Sequence, residues 1–402
     1  MRDEATAGRD ISVPEGWDRR GLPAWTYHSD ALTAVEKQTL FRTHWQVACH
    51  VSDVAEPGAY LAFDAVGERA LIVRGRDGIV RGFHNICRHR GSRVVADEQG
   101  HCRSALVCPF HGWVYNLDGT LRGAARPDTL PPLDRQQHGL LPIDTEIWQG
   151  FVFVRFAPGP QPSVAELMAP FEEEMAAYGM ADMVSTGPIW TDTSPVNWKS
   201  VRDVDNEGYH VAMAHPALQD LYGHDYLDEP FVAGISRTMA RFARQGRRRW
   251  SVRHYVAASA PRMALPETLH QAWPYWSLFP NLVIAATPEL VQFYQEFPIS
   301  TNQTQLRGGI YRLADETRRE RVARYLAMRI DRETVEEDVQ LTIWSNESMS
   351  SPAFEGFILS DLEYGVRSHH DHLRTAVPVT TMETSPGEEA VATENARLLS
   401  QA

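Results

Sequence analysis

Lysine is nearly missing: Lys37 and Lys199 are the only two in a chain of 402 residues with 39 basic side chains. No phosphate loop ending in Gly-Lys-Ser/Thr can therefore be built, and Schiff-base chemistry has few places to start. A Gly-x-Gly-x-x-Gly fingerprint is also absent, so the chain is not expected to bind a nicotinamide dinucleotide itself in the usual way. No apolar run approaches the ~18 residues of a membrane span. The polar start Met1-Arg2-Asp3-Glu4 has no apolar stretch behind it, which predicts no signal peptide and a cytoplasmic location. Four cysteines are too few for a disulfide scaffold of this size and point instead to a metal site or catalysis. Basic residues number 39 against 52 acidic, a net charge of −13, which excludes a general binder of nucleic acid or anionic membranes.

Hydrophobic residues make up 43% and charged residues 23%, as in ordinary globular proteins, and the length suits two or three domains. Residues 1–45 read as an extended arm followed by a helix from Ser29 to Trp45. Residues 46–160 hold short β-rich runs separated by Gly/Asp turns, the texture of a small all-β domain. The Pro/Gly-rich stretch 157–162 is the expected boundary. An acidic helix near 164–178 and mixed α and β segments follow, so 161–380 reads as a second domain. A long charged helix is predicted over 315–345, and the polar residues 381–402 read as a mobile tail. The fold class is α+β, and no internal repeat or low-complexity tract occurs.

The strongest chemical signal is Cys87-Arg88-His89 followed by Cys108-Pro109-Phe110-His111. Two thiolates and two imidazoles suit a zinc ion or an iron–sulfur cluster. Structural zinc sites usually group like ligands, whereas each pair here mixes one Cys with one His. A [2Fe–2S] cluster with two Cys on one iron and two His on the other requires that mixing. With Arg90 and Gly91 after the first pair and Gly112-Trp113 after the second, the segment resembles the Rieske domain family. Cys49 and Cys102 lie outside the pairs and read as incidental thiols.

The second signal is Glu207-Gly208-Tyr209-His210, with His215-Pro216 five residues on. On an ideal helix such histidines sit roughly 140° apart, so they converge only if the helix ends between them, and Pro216 marks such an end. Two His with a distant carboxylate form the facial triad of non-haem iron oxygenases. Alone, this spacing fits ordinary core or surface histidines equally well. Asn197-Trp198-Lys199 ahead of it, however, resembles the catalytic signature of Rieske non-haem iron oxygenases, and the two motifs come in that family's order. The resemblance spans about 45–375 and suggests a terminal oxygenase α subunit.

The resemblance implies further roles. Asp338, in Val335-Glu336-Glu337-Asp338, takes the place of the third iron ligand beside His210 and His215, with Glu336 and Glu337 as solvated neighbours. Glu207 takes the place of a carboxylate that bridges His111 of one subunit and His210 of the next, giving a path for an electron. Val204 departs from relatives that carry Asn there. The expected assembly is a homotrimer, with or without β subunits, served by a separate NAD(P)H-dependent reductase or ferredoxin. The cofactors implied are a [2Fe–2S] cluster and Fe(II), with O₂ as co-substrate. The substrate reading favours an aromatic or heteroaromatic acid. A quaternary ammonium compound of the betaine or carnitine kind is the alternative, and an electron carrier without mononuclear iron is a third. O₂-dependent hydroxylation at an N-methyl or O-methyl carbon would amount to demethylation. Trp273, Trp276 and Phe279, in the most aromatic stretch, are the candidate substrate contacts.

Overall fold

The computed structural model describes residues 13–224, 226–244, 247–259, 261 and 264–401. These divide into two compact units: residues 41–189, and residues up to 40 together with those from 190 onward.

The 41–189 unit is built from three small antiparallel sheets. Val80–His84, Glu68–Arg74, Ala59–Ala65 and Gln99–His101 form one, in that order. Gln46–His50, Phe151–Arg155 and Asp144–Trp148 form the second; Leu106–Val107, Val114–Tyr115 and Leu121–Gly123 form the third. The 157–162 stretch is not the boundary, because residues 161–189 stay with this unit. The helix Val164–Met168 starts on Glu146, whose carboxylate accepts from the Val164 and Ala165 amides at 2.8 and 2.9 Å. Further on, His50 Nε2 meets the Met180 carbonyl at 3.0 Å. The expected single acidic helix is broken at Pro170 into Val164–Met168 and Glu172–Ala176, since proline cannot donate to the preceding turn.

The second unit carries a seven-stranded antiparallel sheet: β1 (Trp190–Ser194), β2 (Tyr226–Asp228), β3 (Ile235–Arg241), β4 (Ala272–Leu278), β5 (Leu282–Thr287), β6 (Leu290–Ser300) and β7 (Gln303–Arg312). Its order is β1-β7-β6-β5-β4-β3-β2. Helices α1 (Trp198–Asp205), α2 (Val211–Ala214), α3 (Pro216–Tyr222) and α4 (Arg318–Ser348) bring the chemical residues to it. Thr317 starts α4 with a capping box: its hydroxyl accepts from the Glu320 amide, and Glu320 accepts from the Thr317 amide.

Both ends of the chain differ from expectation. The helix after Ser29 runs only over Asp30–Glu36 and then widens into a π-turn, Lys37–Phe41. The polar segment read as a mobile tail ends in a helix, Val391–Leu399. Val391 is fully buried, and Asn395 Oδ1 accepts from the Val379 amide at 3.2 Å. Val391 and Asn395 are the buried side chains of a helix whose other residues are half-buried or exposed.

Candidate functional site

In the 41–189 unit, two loops of matching construction carry the Cys/His pairs. The Gly91 amide returns to the Cys87 carbonyl at 3.0 Å, and the Gly112 amide returns to the Cys108 carbonyl at 3.0 Å. Both glycines hold positive φ, 75° and 67°, which lets each loop turn this tightly. Cys87 and Cys108 lie inside, while His89 and His111 sit at the half-buried rim with ring centroids 4.6 Å apart. Tyr115 Oη lies 3.2 Å from Cys87 Sγ and accepts from the Arg88 amide at 2.9 Å. Burial pushes the Cys87 thiol up, and the neighbouring Cys108 adds to that; a bound metal would reverse it, since thiolate is the ligating form. His89 Nδ1 is buried without a hydrogen-bond partner, as a nitrogen reserved for a metal would be. The donor set fits a cluster with sulfur on one iron and nitrogen on the other.

In the second unit, His210 caps the start of α2 and His215 stands between α2 and α3, with φ −118° and ψ 78°. That break, ahead of Pro216 at the first position of α3, lets histidines five apart turn to one point. Their Nε2 atoms are 3.0 Å apart, and Asp338 Oδ1, from α4, lies 3.0 Å from His215 Nε2 and 3.6 Å from His210 Nε2. Each ring is fixed from behind by a carboxylate. Glu207 Oε1 binds His210 Nδ1, and Glu337 Oε2 binds His215 Nδ1 at 3.0 Å. With both Nδ1 protons directed to those carboxylates, both Nε2 lone pairs face the gap, where they can only converge on a cation. Asp338 Oδ1 has no hydrogen-bond donor there. The donor set fits a two-His, one-carboxylate iron site.

A cavity of about 270 Å³ opens beside this group, lined by residues of α1, α3, α4 and one sheet face. The strand period of two aims Tyr275 and Ser277 of β4 and Gln292, Tyr294 and Glu296 of β6 into it. On α4, Asp331, Thr334, Val335, Asp338 and Thr342 face it at helical spacing. The Tyr222 and Tyr275 hydroxyls are 3.2 Å apart, and Tyr294 Oη donates to Asp205 at 2.8 Å. Burial pushes the carboxyls of Asp228 and Asp331 up to about 6 and that of Glu296 to about 7, the last despite the Arg202 charge. Asp228 is held by the Gly208 amide at 2.9 Å and the Thr238 hydroxyl at 2.7 Å.

Residues 181–378 match the model of the ring-hydroxylating α subunit catalytic domain, and residues 44–134 match the Rieske [2Fe–2S] domain. The chain belongs to the Rieske ring-hydroxylating oxygenase family. It is 26% identical over 310 residues to the carnitine monooxygenase oxygenase subunit of Escherichia coli, covering 75% of this chain and 79% of that relative. It is 33% identical over 234 residues to the glycine betaine monooxygenase oxygenase subunit of Chromohalobacter salexigens, covering 57% of this chain and 52% of the relative. A quaternary ammonium Rieske monooxygenase solved with L-carnitine shares the fold, with TM-score 0.71 and 21% identity over 89% of this chain and 95% of that one. Naphthalene 1,2-dioxygenase from Rhodococcus does so too, at 0.71 and 17% over 89% and 94%.

This Rieske oxygenase uses a [2Fe–2S] cluster, a mononuclear iron and O₂. The relatives named above act on carnitine and glycine betaine, which backs the ammonium alternative better than the aromatic-acid reading. The three aromatic residues expected at the substrate are not among those that line the cavity. Trp276 is buried and alternates to the opposite face of β4 from Tyr275. Trp273 shares Tyr275's face but sits in the core, its indole N–H bonded to Tyr255 at 2.7 Å. Phe279 packs against His369 and His372. Sequence reading passed over Glu337 as a solvated neighbour and did not reach Asp331, Tyr222 or Tyr294. Helical spacing back from Asp338 would have placed Asp331 on the same face.

Proposed function

We propose that this oxygenase hydroxylates a small methylated ammonium compound, with an N-methyl carbon as the simplest target. The charge of the cavity carries the reading. Asp205, Asp228, Glu296 and Asp331 line it, while its one guanidinium, Arg202, is paired with Glu296 at 3.1 Å and with Asp205. An aromatic acid would bring its carboxylate among these groups without a free counter-charge, whereas a cation meets carboxylates and tyrosine rings. Carnitine and glycine betaine oxygenases among the relatives support the same class.

The iron and cluster, when bound, supply the reductive activation of O₂. In this reading His210, His215 and Asp338 hold the mononuclear iron, and Cys87, His89, Cys108 and His111 hold the cluster. Glu207 and Glu337 keep the two iron-site rings in their ligating tautomer. Glu207 also accepts from the partner subunit's His111, so that the working unit is a homotrimer supplied by an NAD(P)H-dependent reductase, in the cytoplasm. Substrate R₃N⁺–CH₃ with O₂, two electrons and two protons gives R₃N⁺–CH₂OH and water. The hydroxymethyl group then gives up its O–H proton to solvent and leaves as formaldehyde, the C–N electron pair returning to nitrogen to free the demethylated amine.

The test is O₂ uptake by the iron-loaded protein with a Rieske reductase and NADH, offered choline, γ-butyrobetaine or benzoate. Uptake matched by hydroxylated product or formaldehyde is expected with the cations. Product from benzoate and none from either cation would overturn the assignment.

A further inference from the structure

One acid in the cavity has neither a counter-charge nor a close hydrogen bond. Asp205 and Glu296 share Arg202, Asp228 is held by an amide and a hydroxyl, and Asp338 faces the two histidines. Asp331 accepts only from Gln292 Nε2, at a long 3.4 Å. It lies close enough to Tyr222, Tyr275 and Tyr294 that its charge, after burial itself, helps hold all three phenols above their ordinary range. A half-buried carboxylate left this way carries a desolvation cost unless something else completes it.

We propose that Asp331 is the anchor for the cationic head of the substrate, and that the substrate is a methylated amine with no carboxylate of its own. The inference rests on the ammonium reading above and narrows it. The first half follows from Asp331's missing counter-charge and from Tyr222, Tyr275 and Tyr294, which line the same cavity. The second half follows from Arg202. Among the residues lining the cavity it is the only guanidinium, and no lysine joins it, so a substrate carboxylate would find no free cation. Position agrees as well. Asp331 precedes Asp338 by two turns of α4, about 10 Å along the axis, so both side chains face the one cavity. Burial holds the Asp331 carboxyl at about 6, a balance that a bound cation would tip toward the charged form.

Choline and glycine betaine test the inference, because they share the trimethylammonium group and differ in carrying a hydroxymethyl or a carboxylate. Binding to the iron-loaded, anaerobic holoenzyme is measured by calorimetry at about pH 8, where Asp331 is charged. Wild type is expected to bind choline at least about tenfold more tightly than glycine betaine. Asp331→Asn should lose about tenfold or more in choline affinity while keeping its iron content and the Rieske EPR signal. Should that variant fail to fold, Asp331→Glu, which keeps the charge but displaces it, must still lower choline affinity. Unchanged choline binding in a folded Asp331→Asn protein would overturn the anchor, and tighter binding of glycine betaine than choline would overturn the absence of a carboxylate. In both cases the ammonium reading stands. Binding of benzoate with neither cation bound would overturn that reading along with the inference.

Discussion

The two metal-binding regions of this chain solve the same problem with opposite materials. The Cys/His loops of the 41–189 unit keep all four donors within residues 87–111, each pair on a tight turn closed by its own glycine. The histidine pair and Asp338 are separated by more than a hundred residues and come from the ends of short helices and the middle of a long one. A local site holds its metal wherever the two loops fold, but such a closed arrangement leaves no room for a substrate. A site assembled from distant helices needs its whole unit folded, and in return it can keep coordination positions open beside a cavity.

That contrast breaks most visibly at Asp338. Asp338→Ala should remove the mononuclear iron, taking the content from about three irons per chain to about two, while the Rieske EPR signal stays. Product formation should fall by about a thousandfold or more. Iron analysis with EPR of the reduced protein decides it. About two irons in wild type as well would leave the cluster in place and make the chain an electron carrier.

Buried histidines with depressed pKa values occur in both units, His369 in one and His50 in the loop-bearing one, and His50 makes the cleaner test. His50 is buried, with Nε2 on the Met180 carbonyl at 3.0 Å and Nδ1 accepting from the Ser52 amide at 3.1 Å; burial depresses its pKa to about 4. The unfolded chain takes up this proton near pH 6.5, the folded chain only near pH 4, so stability is full above 6.5 and falls as pH drops between those values. The loss approaches about 3 kcal/mol. His50→Gln should melt lower than wild type at neutral pH, yet lose less on going to pH 5. Equal losses in the two proteins would show that His50 does not titrate with unfolding.

Legibility followed the same division. The four loop donors stood out because they are neighbours in sequence with distinctive chemistry. The His210/His215 pair was readable through the proline that breaks its helix, and Asp338 through its order in a family-like motif. The cavity was not readable, because Tyr222, Tyr275, Tyr294 and Asp331 lie on four elements that only the folded unit brings together. The Trp-rich strand misled for a related reason: alternation says that neighbouring side chains face opposite ways, not which face borders the cavity. Average polarity likewise concealed the Val391–Leu399 helix, whose docking depends on Val391 and Asn395 rather than on a broad apolar stripe.

The smallest effect sharpens the comparison, because it concerns how each region supports its ligands from behind. Tyr115 and a turn of backbone back the Cys87 sulfur, and a loop closed by its own hydrogen bonds needs little more. His215 sits at a helix break, where the backbone alone does not set the ring's rotation, and Glu337 supplies what is missing through its 3.0 Å bond to Nδ1. Removing it in Glu337→Ala leaves all three ligands present but frees the His215 ring to change tautomer, placing a proton on the nitrogen that faces the metal. Iron affinity should therefore fall by about tenfold, at the low end for such supporting groups because Glu337 is one-third exposed and water can replace part of its bond. Competition with a chelator, read as iron retained per chain at each chelator concentration, measures the change. Glu337→Gln accepts through its amide oxygen and should recover most of the loss. Iron retention in Glu337→Ala equal to wild type would mean that the fold positions His215 unaided, and the helix-built site would then be as self-sufficient as the loops.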